Sequence, residues 1–242
     1  HIYLWVDKIT LFFLIKNISF IIYMIPRKIH QVFIKFKQGK ELNDIPIFTS
    51  QIEKTKSYCM DNKISYKLWL AKDCDELLQT YPQYIDLYTN FREEIQRVDF
   101  IRYLILYDQG GIYVDCDISP IANSEGIDEL FTNDIFFVRW NNDKRALPYN
   151  AVLGSQAKHI VYDNLLNHLI QSYEEKSKLP IYDKWVGRFV FQTTGHYMIQ
   201  RVLKKYPMVK KLDILHVINP IKQIEIIGEN PLFLDNNASE WY

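Results

Sequence analysis

The clearest pattern of apolar and polar positions leads into a pair of carboxylates. Apolar residues recur at helical spacing over Tyr84–Tyr107, which predicts an amphipathic helix. Gly110–Gly111 follow, and glycine is the usual residue just past a helix end. The apolar run Ile112–Val114 then predicts a short buried strand that ends in Asp115 and Asp117.

Similar alternation continues along the rest of the chain. Apolar runs bounded by polar turns predict strands, and longer periodic segments predict helices. Strands that alternate with helices favour an α/β domain with a mostly parallel sheet. The predicted strands cover residues 135–138, 151–153, 214–218 and 224–227, and further helices are predicted from an N-cap at Asp73 to Pro82 and over 157–173.

The two carboxylates suggest a metal platform. Residues i and i+2 of a strand share a face, so Asp115 and Asp117 point the same way while Cys116 points into the fold. Close carboxylates raise each other's pKa, and a divalent cation with oxygen ligands removes that conflict. Asp99 and Arg102 lie three apart on one helical face. They form either a surface ion pair or, beside the carboxylates, a clamp for sugar hydroxyls and phosphate.

These residues together resemble a known family. The set Asp99-x-x-Arg102, then Gly110-Gly111-x-Tyr113-x-Asp115-x-Asp117, resembles the sugar-nucleotide-binding core of the DXD glycosyltransferases of family 32, which include capsular polysaccharide enzymes and initiating mannosyltransferases. It is also similar to the catalytic domain of the large clostridial glucosylating toxins. The resemblance runs from about Ile25 to the C-terminus, and residues 25–33 and 65–70 resemble the first two strands of such enzymes. It implies a GT-A-type, Rossmann-like α/β domain with a mostly parallel central sheet and additional helices.

The resemblance also implies roles for single residues in catalysis. Phe33 stands where such enzymes usually have tryptophan, and it would stack on the nucleobase. Asp115 would hold ribose and sugar hydroxyls, while Asp117 would ligate Mn²⁺ or Mg²⁺. Asp99 and Arg102 would hold the transferred sugar.

Further donor-binding residues follow from the same resemblance. Tyr113 would support the donor, Asn150 would face the sugar, and Ser239 with Trp241 would close over the phosphates. Asn236 would join Asp115 and Asp117 as a metal ligand, although the toxins carry an acidic residue at the position of Asn236.

The expected function is therefore a metal-dependent, retaining glycosyltransferase. Its donor would be a nucleotide-sugar, with a UDP-sugar favoured and GDP-mannose as the other option, and its acceptor a glycan or another hydroxyl group. Two other classes stay open. A haloacid-dehalogenase-type phosphohydrolase would use Asp115 as its nucleophile, and a non-catalytic module would bind a sugar nucleotide or glycan without transfer.

Composition narrows the partners. The chain has 29 basic and 29 acidic residues and no net charge, so nothing favours nucleic acid as a partner. The three cysteines show neither metal-ligand spacing nor an even disulfide framework, which is simplest in a reducing compartment. We expect a cytoplasmic protein, with a Golgi-type lumenal enzyme disfavoured.

The N-terminal segment is a separate question. Residues 1–23 are strongly apolar but interrupted by Lys16 and Asn17, whereas a spanning helix needs ~20 predominantly apolar residues. We expect an extension over 1–23 and the catalytic domain over 24–242. A weak signal anchor, a membrane-surface helix and a helix packed on the domain are all compatible with the extension, so membrane association is open.

Overall fold

A computed structural model describes residues 24–121, 126–139, 147–180, 185–213, 217–218 and 232–236. The N-terminal extension and the predicted strand at 224–227 lie outside these described residues, as does most of the predicted strand at 214–218. Two sheets are formed within them, one of six strands in the order β2-β1-β3-β6-β5-β7 and one of three in the order β4-β9-β8. The strands are β1 Lys28–Val32, β2 Ser65–Trp69, β3 Gly111–Val114, β4 Ile118–Pro120, β5 Ile135–Arg139, β6 Pro148–Ser155, β7 Lys210–Asp213, β8 Val217–Ile218 and β9 Phe233–Asp235.

The six-stranded sheet is mixed but mostly parallel. Strands β1, β2 and β3 pair in parallel, as do β5 and β7, and β6 runs antiparallel between β3 and β5. The predicted α/β class with a mostly parallel central sheet is thus confirmed. The helices are α1 Pro46–Asp61, α2 Ala71–Gln79, α3 Ile85–Thr89, α4 Glu94–Gln109, α5 Ile127–Leu130, α6 Ile160–Lys176, α7 Val186–Thr193 and α8 His196–Leu203, with 3-10 turns at Leu42–Asp44 and Pro82–Tyr84.

Helices cover both faces of the large sheet. Strand residues alternate between the faces, so Phe136 and Val138 of β5 enter one core cluster while Ile135 and Phe137 enter the other. The cluster around Phe137 packs against α4, α6 and α8. The opposite cluster packs against α1, α5 and the small sheet.

Two local predictions need correction. The predicted helix over Tyr84–Tyr107 is interrupted, because α3 ends at Thr89 and α4 starts afresh after Glu93, whose backbone N–H donates to Gln96 Oε1 at 3.0 Å. Helix α2 starts at Ala71, with its N-cap at Leu70, so Asp73 is its third residue and not its cap. Asp73 Oδ2 accepts the Leu70 N–H at 3.0 Å, a contact that helps to fix the helix start.

The glycine pair makes the tight passage from α4 into β3. Gly110 and Gly111 have φ values of 63° and 106°, a region that side chains with a Cβ rarely adopt. A Cβ on Gly110 would lie 2.6 Å from Ala157 N, and one on Gly111 would lie 2.7 Å from Lys28 O. Backbone conformation and close packing therefore both require glycine here.

No helix within the described residues is long and apolar enough to cross a bilayer.

His30 supplies a pH-dependent contribution to stability. It is fully buried in β1, where Trp69 Nε1 donates to its Nδ1 at 3.1 Å and its Nε2 lies 2.9 Å from Gly110 O. Both contacts are satisfied when a neutral ring carries its proton on Nε2. Burial lowers the pKa of His30 from 6.5 to about 4.

We predict that this histidine weakens the fold as the pH falls. Between about pH 6.5 and 4 the unfolded chain binds a proton that folded His30 does not, so about 3 kcal/mol of stability is lost. Urea unfolding across this range should show the wild-type advantage over His30→Gln shrinking as the pH falls. A wild-type advantage that stays constant with pH would contradict a neutral buried imidazole.

Candidate active site

The candidate site lies at a topological switch point of the sheet, where the strands that follow β1 in the chain are added on opposite sides of it. Strand β2 pairs with one edge of β1 and β3 pairs with the other. Ligands of open α/β sheets bind outside the carboxyl ends of strands at such a switch point. Phe33 directly follows β1, and Asp115 directly follows β3.

A buried ion triad joins α4 to the end of β3. Arg102 Nη2 lies 3.2 Å from Asp99 Oδ1, and Arg102 Nη1 lies 3.2 Å from Asp115 Oδ1. Asp99 and Arg102 are each only 3% exposed, so the alternative of a surface ion pair is wrong. The guanidinium carbon also lies 4.8 Å from the centre of the Tyr113 ring, which packs the triad against β3.

Two neutral side chains complete the hydrogen bonds of Asp99. Thr194 Oγ1 donates to Asp99 Oδ2 at 2.7 Å, and Asn150 Nδ2 donates to Asp99 Oδ1 at 3.1 Å. The Asn150 carbonyl accepts from Arg102 Nη1 at 2.8 Å. Tyr103 donates to the Thr194 carbonyl at 2.7 Å, so the turn after α7 is tied to α4. Asn150 therefore orients the Asp99 carboxylate as well as lying at the site, and Thr194 is a partner of Asp99 that the sequence analysis did not assign to the site.

The carboxyl groups have perturbed pKa values. Burial raises the pKa of Asp99, and the Arg102 guanidinium opposes this. Burial also raises the pKa of Asp115 to about 7, with a further contribution from the negative charge of Asp117 and opposition from Arg102. The hydroxyl group of buried Tyr113 donates to Asp115 Oδ1 at 2.5 Å. The protein alone thus leaves excess negative charge around Asp115.

The carboxylate pair lies on a turn, which corrects the predicted strand. Strand β3 ends at Val114, and the Ile118 N–H donates to the Asp115 carbonyl at 3.0 Å across a tight turn. Cys116 is fully buried, and its Sγ donates to the Val32 carbonyl at 3.2 Å, so its predicted inward direction is confirmed.

A buried glutamine braces this turn. Gln31 Nε2 donates to the carbonyls of Asp115 and Ile118, both at 3.1 Å. The Tyr66 hydroxyl donates to Gln31 Oε1 at 2.9 Å and so orients the amide. Gln31 is fully buried in β1. The consecutive polar residues His30 and Gln31 between apolar Ile29 and Val32 were the sequence signal that could have identified it.

The residues beside the turn suit a hard cation. Asn236 donates through both its backbone N and its Nδ2 to the Asp117 carbonyl, at 3.2 and 2.9 Å, which brings its amide group next to Asp117. Asp235 instead accepts a short hydrogen bond from Tyr149. Carboxylate and amide oxygens are the ligands that Mn²⁺ and Mg²⁺ prefer. Within the described ranges no group of three or more His, Cys, Asp or Glu residues could hold a metal ion, and coordination by Asp115, Asp117 and Asn236 stays a prediction.

A cavity of about 440 Å³ opens beside the triad. Its polar wall includes Asp99, Arg102, Asp115 and Asn150, together with Arg92, Glu93 and Glu94 at the start of α4. Its apolar wall is formed mainly by α7 and by Phe36, which follows β1. The predicted catalytic residues Asp99, Arg102 and Asp115 are thus gathered at one cavity.

The remaining predicted donor residues have different outcomes. Phe33 is 7% exposed and packs edge-on against Phe48 at 6.3 Å between ring centres, whereas the aromatic residues at the cavity wall are Phe36 and Phe191. Base stacking by Phe33 stays a prediction. Ser239 and Trp241 lie outside the described residues.

Comparison with known families agrees with this site. Residues 26–137 match the model of the glycosyltransferase sugar-binding region containing the DXD motif. The matched segment contains β1, α4 and the turn with Asp115 and Asp117. The match supports glycosyl transfer as the class of activity.

Curated relatives support the same class. The chain is 29% identical over 161 residues to an uncharacterized glycosyltransferase of Acanthamoeba polyphaga mimivirus, covering 64% of this chain and 60% of the relative. It is 28% identical over 186 residues to mannosyl phosphorylinositol ceramide synthase CSH1 of Saccharomyces cerevisiae, covering 76% of this chain and 43% of the relative. The chain thus spans at most 60% of the length of either relative.

A solved structure named PaToxG glycosyltransferase aligns with a TM-score of 0.49 at 15% identity, covering 82% of this chain and 77% of that chain.

We predict that replacing Arg102, even by lysine, destabilises the fold. Arg102→Lys keeps the charge but cannot reach Asp99, Asp115 and the Asn150 carbonyl with one planar group. Removing a partner from a buried pair costs about 3–5 kcal/mol. Urea unfolding should show a loss of this size, whereas Arg188→Lys on the exposed side of α7 should change stability little. A loss for Arg102→Lys as small as that for Arg188→Lys would contradict a structural triad.

Proposed function

We propose that this chain is a metal-dependent, retaining glycosyltransferase that uses a nucleotide-sugar donor. The observation that carries the proposal is the buried Asp99–Arg102–Asp115 triad at the wall of the cavity, with Asp117 on the adjoining turn. A UDP-sugar is favoured, on the resemblance of the Asp115-x-Asp117 segment to the toxin-type catalytic domain. GDP-mannose stays the second candidate, because the yeast relative is named for making mannosyl phosphorylinositol ceramide.

In this proposal the protein groups position a sugar diphosphate. Asp117 and Asn236, with Asp115 beside them, would hold Mn²⁺ or Mg²⁺, which supplies Lewis-acid stabilisation of the leaving diphosphate. Asp99 is held rigidly by Arg102, Thr194 and Asn150, so it can orient sugar hydroxyls at little entropic cost. Phe33 would stack on the nucleobase of the donor. Tyr113 would hold the Asp115 carboxylate through its hydroxyl group.

Retention of configuration is supported by the state of the acids in the cavity. An inverting enzyme needs a carboxylate or histidine that can take the proton of the acceptor. Each acid among the cavity residues is already engaged. Glu93 pairs with Arg92 at 3.0 Å, Glu94 accepts the Lys37 N–H at 3.1 Å, and Asp99 and Asp115 belong to the triad.

The phosphohydrolase alternative uses the same turn differently. It needs Asp115 as a nucleophile, but Asp115 Oδ1 accepts from Tyr113 and contacts Arg102. The alternative also gives no role to Asp99, Thr194 or Asn150. Glycosyl transfer uses all of these residues, and we therefore favour it.

The direct test is donor turnover followed by NMR. UDP-glucose, UDP-galactose, UDP-N-acetylglucosamine and GDP-mannose are each incubated with the full chain, with Mn²⁺ or with chelator. We expect slow metal-dependent hydrolysis of one donor, with the released sugar first appearing in the donor's anomeric configuration. Asp117→Ala should abolish turnover, whereas Asp75→Ala on the exposed surface of α2 should leave it unchanged.

Other outcomes of this assay would overturn the proposal. Full turnover by Asp117→Ala would contradict the metal assignment, and inverted product would contradict retention. Phosphate release from p-nitrophenyl phosphate without donor turnover would favour the phosphohydrolase. Donor binding without any turnover would favour a binding module.

Gln31 gives a second test that does not depend on turnover. Gln31→Met keeps the side-chain length but removes both hydrogen bonds to the Asp115–Ile118 turn. Groups that orient metal ligands typically contribute about 10-fold or more to metal affinity. We predict that Mn²⁺ binding in the presence of UDP, measured by electron paramagnetic resonance, weakens by about this factor. Exposed Gln83→Met is the matched control, and equal affinities in the two variants would show that the brace does not act on the cation.

A further inference from the structure

Exposed apolar side chains gather where α7 meets the cavity. Trp185, Val186 and Phe191 are 61%, 43% and 38% exposed, and we call these three residues the α7 lip. Val186 and Phe191 also line the cavity. Single exposed apolar residues are ordinary on protein surfaces, but a group at the mouth of a cavity marks a binding surface.

The lip continues an apolar stripe that leads into the cavity. Val186 and Val190 lie one helical turn apart, as do Gly187 and Phe191, so these four residues share a face. Exposure falls from 43% at Val186 to 7% at Val190, which follows the stripe inward. A Cβ on Gly187 would meet nothing within 4 Å, so space is left open along this face.

The opposite wall of the cavity is polar. Asp99, Arg102, Asp115 and Asn150 form its deep part, and Arg92, Glu93 and Glu94 lie at the start of α4. The cavity therefore has a polar interior and an apolar mouth on the α7 side. This polarity is complementary to a molecule with a hydroxylated head and a hydrocarbon remainder, whereas a soluble oligosaccharide is polar along its whole length.

The charges of α7 fit a lipid surface. Arg188 is exposed, and the segment Trp185–Thr193 contains no acidic residue. Helices that rest on bilayers combine tryptophan, phenylalanine or aliphatic residues with basic side chains. The other strongly exposed large apolar side chains among the described residues lie outside α7 and do not line the cavity; they are Met60, Leu70, Ile160, Leu179 and Met208.

We propose that the α7 lip contacts the hydrocarbon part of a lipid-borne acceptor at a membrane surface, while the hydroxylated head of that acceptor enters the cavity. The proposal rests on the proposed function, because that function makes the cavity the place of transfer. A soluble glycan stacked on Trp185 and Phe191 is the competing occupant, and the experiment distinguishes the two.

The test attaches an environment-sensitive dye to the lip. The native cysteines Cys59, Cys74 and Cys116 are at most 1% exposed, so a new surface cysteine can be labelled selectively. Nitrobenzoxadiazole is attached to full-length Val186→Cys and, as an independent second position, Trp185→Cys. Met208→Cys, where the native side chain is 94% exposed on a distant turn, is the matched control. Each protein is mixed with phosphatidylcholine vesicles, with and without phosphatidylserine, and separately with soluble oligosaccharides.

We expect a blue shift and a several-fold rise in emission at the two lip positions with vesicles, and no change at position 208. Equal responses at all three positions, or none at the lip, would overturn the proposal, as would a response to oligosaccharides but not to vesicles. The same response is expected in an Asp117→Ala background, since lipid contact requires neither cation nor donor. Failure of the lip is therefore distinguishable from failure of the proposed transferase activity.

Discussion

The buried contact of Arg102 with Asp99 and Asp115 is the constraint on which the rest of the site depends. Charges removed from water are costly unless each one is paired and hydrogen-bonded. This requirement brings together parts of the chain that are far apart in sequence, since Asn150 from β6 and Thr194 from the turn after α7 both bond to Asp99. The helix, the two strands and the turn are therefore fixed relative to one another by the same charges that line the cavity.

The charge balance of this centre explains why a divalent cation suits it. With all acids ionised, Asp99, Asp115 and Asp117 carry three negative charges against the one positive charge of Arg102. Burial raises the pKa of Asp115 to about 7, and the like charge of Asp117 adds to this rise. Arg102 cannot be drawn away to neutralise a bound diphosphate, because its nitrogens are held by Asp99, Asp115 and the Asn150 carbonyl. The neutralising charge must come from elsewhere, which is the role that the proposal gives to Mn²⁺ or Mg²⁺.

The local pattern of apolar and polar residues was sufficient to predict much of the fold. It predicted few of the hydrogen bonds that hold the site together. The apolar run at Ile135–Val138 and the glycines after α4 were predictable because periodicity and backbone conformation are local properties. The interruption after Thr89 was not, since apolar spacing continues across it. The bonds from Thr194 to Asp99 and from Gln31 to the Asp115 turn connect residues 95 and 84 positions apart. No short-range spacing encodes such contacts, and only the packed fold brings the partners together.

The division of the site along the chain bears on how an acceptor is chosen. The segment similar to the DXD family model ends at residue 137, and it includes the whole triad and the carboxylate turn. Asn150, Thr194 and the apolar wall of α7 all lie beyond it. Under the proposed function, the matched segment would hold the donor, and the later helices would form the surface that the acceptor meets. Changes in α7 could then alter the acceptor without disturbing the charges at Asp115 and Asp117. Thr194 sets a limit to that freedom, because the turn that ends α7 also supplies a hydrogen bond to Asp99. The acceptor wall can therefore vary in its exposed lip, but not in the turn that anchors it.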